Sequence, residues 1–380
     1  MEQSSDRIQY VDFMRGFAVI IMVMGHSIDS VLSIDERATT LFRLHDAVRG
    51  FTAPLFLFVA GYAFSVATEK NWAAYLSLSS PTLKRFGKIA LLLIIGYALH
   101  FPFFSLHKIL FEASSQEYMQ FFQADVLHCV ALSLLLLHLI IFVTRTPRAF
   151  ARTTFGVAAT VIVATPIVWS VDLAPRFSSI LAPYLNQHQQ SIFPLFPYAS
   201  YLLAGAVTGH YFLEAKRNNR EGNFFHRTVF LGVGVMISAL MLDLIPISIY
   251  PPHDYWKASP LFFLIRLSIV LLIVVGFWAM RRIPPVAARQ LKLLGQASLF
   301  VYVFHLVLVY GSAANNGLAQ VVGQTLVYRD AFIVALLVLV VMVAIVHLWR
   351  YLRTYGYFPA RFVQAVMAGT LFFYFFTNPY

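Results

Sequence analysis

The chain alternates long apolar runs with short polar stretches. Runs of membrane-spanning length fall at 13–31, 51–67, 87–104, 124–143, 155–171, 195–212, 229–249, 260–280, 294–312 and 331–349, with a shorter one at 363–377. About 20 apolar residues in a helix cross the hydrocarbon layer while every backbone hydrogen bond is made inside the segment. Some runs are rich in Phe or Val and resemble buried strands, but so many segments of this length fit spanning helices better. The pattern predicts an all-α, polytopic integral membrane protein with ten or eleven transmembrane helices. No Ser/Gly-rich linker, low-complexity tract or internal repeat interrupts it, so residues 1–380 read as a single transmembrane domain.

Composition agrees, at 59% hydrophobic and 12% charged, far from a soluble globular chain. The net charge of +11 would suggest nucleic acid, but its distribution argues for orientation instead. The stretches 68–86, 144–154, 213–228, 281–293 and 350–361 hold seventeen Lys or Arg, whereas the alternate ones hold only Lys108, Arg176, Lys257 and Arg329. That asymmetry is the positive-inside bias and predicts a cytoplasmic N-terminus. The first outer loop is an exception, gathering Arg37, Arg43 and Arg49, and such an exception suggests function. The first run follows directly on Asp12, carries Arg15 and has no small-residue cleavage site, so it is expected to be a retained signal anchor. The single cysteine, Cys129, excludes an intramolecular disulfide and leaves no Cys-based metal site; no metal is expected.

The first run raises a specific question, because "DFMRGFAVIIMVMGHSID" carries Arg15 and His26. Eleven residues make almost three helical turns, which puts both on one face and about 16 Å apart along the axis. Ionisable residues inside a membrane are expensive and usually face protein or a water-lined cavity. Each taken alone has a simpler reading: Arg15 snorkels to lipid phosphates and His26 packs.

Together, "RIQYVDFMRGFAVIIMVMGHS" and "RGFTAPLFLFVAGYAFS" resemble the acyltransferase-3 superfamily, and within it the catalytic domain of heparan-alpha-glucosaminide N-acetyltransferase and its bacterial relatives. The resemblance continues through "KRFGKIALLLIIGY", "ADVLHCVALSLLLLHLI", "FPLFPYASYLLAGAVTG" and "LGQASLFVYVFHLVL". It implies transfer of an acyl group, most simply acetyl, from a cytoplasmic acyl-CoA to a carbohydrate amine or hydroxyl across the membrane. A bacterial inner (plasma) membrane is the implied location.

On that resemblance, Arg15 with Lys84, Arg85, Lys88 and Lys292 is expected to hold CoA phosphates, which favour Arg and Lys. His26 is expected at the thioester, as general base or as a nucleophile forming an acyl-imidazole. The human-type enzymes carry Asn at the position of His26 and a histidine in the first outer loop, so His45 is a second candidate. His305, about eleven residues into its run, lies at a depth similar to His26 and is a candidate partner, or else an interface histidine. Asp125 and His128, one turn apart, are expected to orient one another toward the acceptor, with helix capping by Asp125 as the alternative. Arg49 is expected to bind an acceptor carboxylate or sulfate or to polarise the thioester oxygen, or else to contact a phospholipid. Asp243 and Arg266 are read as a buried structural pair, and His100, His138, His210 and His347 as packing or interface residues.

The expected partners are the acyl-CoA donor, the glycan acceptor and membrane lipids, with a homo-oligomer an open option and nucleic acid excluded by the charge distribution. Two rival classes stand beside the enzyme: a polytopic transporter and a non-catalytic lipid-binding membrane protein. Neither needs an arginine-to-histidine stripe with a basic inner mouth.

Overall fold

The computed structural model describes residues 8–101, 104–246, 249–280, 284–312, 315–354 and 357–377. Arg281 and Arg282, at the start of the basic stretch 281–293, lie outside them. In chain order the helices are α1 (Gln9–Val31), α2 (Thr40–Arg49), α3 (Thr52–Glu69), α4 (Ser80–Leu99), α5 (Leu106–Phe111) and α6 (Ser115–Phe121). Next come α7 (Val126–Thr144), α8 (Pro147–Trp169), α9 (Ala174–Leu181), α10 (Leu195–Arg217), α11 (Glu221–Asp243) and α12 (Tyr255–Ala258). The last are α13 (Pro260–Ala279), α14 (Pro285–Gln296), α15 (Ser298–Tyr310), α16 (Leu318–Val321), α17 (Tyr328–Thr354) and α18 (Tyr357–Thr377). Among the described residues there is no strand, only isolated bridges such as Leu32 with Leu326. The chain is an all-α polytopic membrane protein.

All eleven apolar runs lie largely in helices. Among the described residues seven crossings, namely α1, α3 counted with α2, α7, α8, α11, α13 and α17, are long and apolar enough by themselves. The pair α14 and α15 adds an eighth if it counts as one crossing. The expected ten or eleven is higher because runs of mixed character were included. Lys84, Arg85 and Lys88 crowd the first half of α4, and α10 is broken up by Ser, Thr, Tyr and His.

Two compact units are distinguished. The first comprises residues 1–52, 101–115 and 281–380. Here α1 packs against α14, α15 and α17. A Cβ at Gly16 would run into the Leu291 carbonyl, so glycine is what lets α1 and α14 meet backbone to backbone. The C-terminal end of α1 is tied to the segment before α17 by Leu326 N–H donating to Val31 O at 3.0 Å and Ser33 N–H donating to Leu326 O at 2.9 Å. Ile28, Val31, Leu32, Ala331 and Ala335 form the apolar cluster beneath that link. The run expected as one helix at 294–312 is broken, because α14 and α15 meet at 78°.

The second unit comprises residues 53–100 and 116–280. In it α4 packs on α7, α8 on α10, and α11 on α13. Two buried hydroxyls reach backbone carbonyls of neighbouring helices: Ser65 bonds Ala206 at 2.6 Å and Ser200 bonds Ala158 at 3.1 Å. Such bonds satisfy polar groups that water cannot reach.

Candidate functional site

In the first unit α1 and α15 bring together two histidines that are distant in sequence. His26 Nδ1 lies 2.9 Å from His305 Nε2, and the rings stack with centroids 5.1 Å apart at 16°. His305 is fully buried and His26 half-buried. The other ring nitrogen of His305, Nδ1, lies 2.8 Å from the Val301 carbonyl. A carbonyl only accepts, so Nδ1 of His305 carries the hydrogen, which in a neutral imidazole leaves Nε2 as the acceptor. His26 then donates through Nδ1, and its own Nε2 bears the lone pair. The tautomers are thus assigned by the partners, with the Val301 carbonyl as the anchor. Tyr310, on the same helix as His305, presents its ring to His26 at 5.9 Å and 63°.

Around this pair lies a group of charged side chains from α1, α2 and the turn between them. Arg49 pairs with Asp29 and, at 2.5 Å, with Asp46. Gly25 makes room for it: a Cβ there would come 3.1 Å from the Arg49 stem. The residue before His26 is therefore a glycine because an arginine side chain crosses α1 at that level. Arg37 donates to the Asp29 carbonyl at 2.8 Å and lies 5.6 Å from the Phe42 ring centroid. Tyr310 is within electrostatic range of both Arg49 and Arg37. Three polar atoms of the group, Asp29 Oδ1, Arg37 Nε and His45 Nε2, are buried without a hydrogen-bond partner. Unsatisfied buried polar atoms are uncommon and suit a polar ligand.

Of the residues expected at the reaction, the structure joins His26 to His305 and sets Arg49 beside them. His45 belongs to α2, stacked on Phe42 at 6.1 Å and edge-on to Tyr328 at 6.0 Å. Arg15 and Lys292 are half-buried on α1 and α14. Asp29, Asp46 and Tyr310 were not singled out from the sequence. Asp29 stands one turn past His26 and Asp46 directly follows His45, which was the available signal.

The second unit holds the remaining candidates. Lys84 and Lys88 are exposed one turn apart. Arg85 instead turns inward, 3.8 Å from the Tyr75 ring centroid and 4.4 Å from that of Phe64. Asp125 and His128 cap α7 reciprocally, with Asp125 N–H donating to His128 Nδ1 at 3.2 Å. His100 Nε2 stands 3.7 Å from Asp125. His210, read as a packing residue, is part of an ion-pair cluster: its Nδ1 is 2.5 Å from Glu69, which Arg217 also meets at 2.7 Å. Asp243 and Arg266 do not form the expected pair. The exposed Asp243 accepts from the Tyr255 hydroxyl at 3.1 Å, while Arg266 lies 4.4 Å from the Phe262 ring centroid and bonds Tyr201. Neighbouring aromatics capture both charges. Among the described residues no three His, Cys, Asp or Glu side chains gather as metal ligands would.

The profile of the heparan-alpha-glucosaminide N-acetyltransferase catalytic family matches residues 7–242. The chain belongs to that family. Membership implies a membrane acetyltransferase of the heparan-alpha-glucosaminide type. No curated protein matches the chain. The matched stretch contains Arg15, His26, His45, Arg49, Asp125 and His128, and His305 lies beyond it.

Proposed function

We propose that the protein transfers an acetyl group from acetyl-CoA to an amine or hydroxyl of a carbohydrate, and that His26 handles the proton of the acceptor. The observation supporting this role is the His26–His305 hydrogen bond in a chain of an acetyltransferase family. In the proposed step the acceptor N–H or O–H meets His26 Nε2 while its heteroatom attacks the thioester carbonyl carbon. The proton passes to Nε2 and the carbonyl electron pair moves onto oxygen. Collapse re-forms the carbonyl and breaks the C–S bond, and the thiolate leaves with the proton that His26 returns. His305 stabilises the charged His26 by accepting its Nδ1–H, much as a carboxylate orients a catalytic imidazole. General-base help of this kind contributes roughly 10²- to 10⁴-fold. Direct attack by His26 on the thioester would use the same atom, Nε2, and leave an acyl-imidazole.

Arg49, Arg37 and the unpartnered atoms of Asp29 and His45 are assigned to the acceptor in this reading. Asp125 and His128 are candidates for a further acceptor contact, beyond the cap they form. Arg15 and Lys292 on one unit, and Lys84 and Lys88 on the other, are each candidates for donor phosphates, which Lys and Arg bind well. The orientation proposed is N-terminus in, in a bacterial inner membrane.

The test is acetyl transfer by the purified protein from labelled acetyl-CoA to a panel of amino sugars and glycans. His26→Ala should abolish transfer while CoA binding stays within about twofold, because a general base acts in the transition state rather than in donor binding. Rapid quenching without acceptor separates the two roles of Nε2, since only a nucleophile leaves labelled protein. Full activity in His26→Ala, with loss only in His45→Ala, would move the reaction to the α2 histidine.

A further inference from the structure

Arg85 and His138, on α4 and α7 of the second unit, form another set of unmatched polar groups. The half-buried Arg85 donates to Thr68 Oγ1 at 2.9 Å, shares a side-chain hydrogen bond with Tyr75, and packs on the Tyr75 and Phe64 rings. All these partners are neutral, so among the described residues no carboxylate balances the guanidinium charge. A charge drawn out of water in this way is costly unless an anion meets it. His138 is fully buried, and neither of its ring nitrogens has a hydrogen-bond partner. Phe86 and Phe142 surround it edge-on at 4.8 Å, and Tyr75 at 6.0 Å. Tyr75 therefore touches both residues and joins them into one group.

The two lie at matching depth. Arg85 is the sixth residue of α4, His138 stands six residues before the end of α7, and the two helices pack together. Each is about 8 or 9 Å from its helix end, within reach of a headgroup phosphate entering from the basic stretch 68–86. Lys84 and Lys88, exposed on α4, would attract such an anion toward the same end.

We propose that Arg85 and His138 bind a singly charged phosphodiester group. One negative charge matches one guanidinium, whose N–H fork suits two phosphate oxygens. The His138 N–H donates to a further ligand oxygen, and its other nitrogen accepts from a hydroxyl or water beside the phosphate. The aromatic walls keep competing water out and strengthen these contacts. The phosphodiester of a phospholipid headgroup and either phosphate of the diphosphate bridge of a CoA thioester, each with one negative charge, share this chemistry. The site makes no use of His26 or His305, so it stands whether or not their assigned roles hold.

The test uses the full chain, purified in detergent and stripped of lipid, with thermal unfolding as readout. Dihexanoyl phosphatidylglycerol, CoA and a phosphate-free control, dihexanoylglycerol, are added separately. At least one phosphate ligand should raise Tm by several degrees while the control does not, because preferential binding to the folded state stabilises it. Arg85→Gln and His138→Phe should both lose the shift. His138→Phe replaces two unsatisfied nitrogens with a ring of similar shape, so without ligand its Tm should equal or exceed that of the parent. A lost shift in that variant then reports binding, not unfolding. A shift with lipid alone identifies the headgroup, one with CoA alone identifies the donor, and either supports the site. Absence of a shift with both ligands, or a shift kept in His138→Phe, overturns it.

Discussion

His26 and His305 are 279 residues apart in sequence and 2.9 Å apart through Nδ1 and Nε2. Because the far nitrogen of His305 is held by the Val301 carbonyl, this contact works in one direction, with His26 the donor. If that orients the reacting nitrogen, His305→Ala should lower kcat roughly 100-fold, the smaller end of general-base contributions, and leave the KM for CoA nearly unchanged. His305→Gln can still accept the His26 N–H through its amide oxygen and should restore part of the loss. A residue that only packs would lower Tm in both variants and spare kcat, so steady-state kinetics beside thermal unfolding decides.

Arg49 reaches Asp29 along a path beside Gly25, where a Cβ would come 3.1 Å from its stem. Gly25→Val should displace that stem and raise the KM for acceptor roughly 10- to 100-fold, the range of a hydrogen bond to a charged group. The KM for CoA should not follow. Equal increases for both substrates would mean that Arg49 holds α2 in place and does not contact the acceptor.

Orientation can be read chemically. The only cysteine, Cys129, is buried, so an impermeant thiol reagent should ignore the parent protein in intact cells. A cysteine at Lys257, exposed on α12, should be labelled, and one at Arg220, exposed between α10 and α11, should be spared. The opposite labelling pattern would place His26 toward the cytoplasm and exclude an acceptor on the far side.

Glu69 is nearly inaccessible, at 2% side-chain exposure, and holds both His210 and Arg217. Glu69→Gln should destabilise the fold by roughly 1–3 kcal/mol, the cost of leaving a buried group poorly paired, with kcat unchanged in the surviving protein. Denaturant unfolding in detergent measures the first effect. A large loss of kcat at full stability would instead give this cluster a role in the reaction.

What the chain reveals before folding follows from the kind of signal each residue carries. The apolar runs found the helices because hydrocarbon leaves backbone groups no other partners. The eleven-residue spacing put Arg15 and His26 on one face of α1, since helical period acts locally. The His305 partnership was legible only as equal depth, because nothing in either helix encodes the other's rotation. Asp29 and Tyr310 were passed over, as an aspartate near a helix end and a tyrosine near an interface are ordinary in membrane proteins. Arg85 was grouped with Lys84 and Lys88 by charge, whereas the 100° step between neighbours turned it inward onto Tyr75. The Asp243–Arg266 pairing failed for a related reason: aromatic neighbours within a few residues reached each charge first.

The break before α15 has a consequence for the lipid. With 13 residues, α15 rises about 20 Å, well short of the ~30 Å hydrocarbon thickness. Its last turn ends in a polar knot, where Asn315 donates to the Val307 carbonyl at 3.0 Å and Gln320 to the Tyr310 carbonyl at 2.7 Å. Such a knot carries its own hydrogen bonds and can sit below the plane of the nearby headgroups, while the bilayer thins to meet it. If His26 serves a sugar acceptor as proposed, that water-soluble sugar would reach it at the floor of a dimple and never enter the oil. On the proposed reading, the short helix also shortens the distance that a hydrophilic acceptor and a thioester arriving from the opposite face must cover to meet.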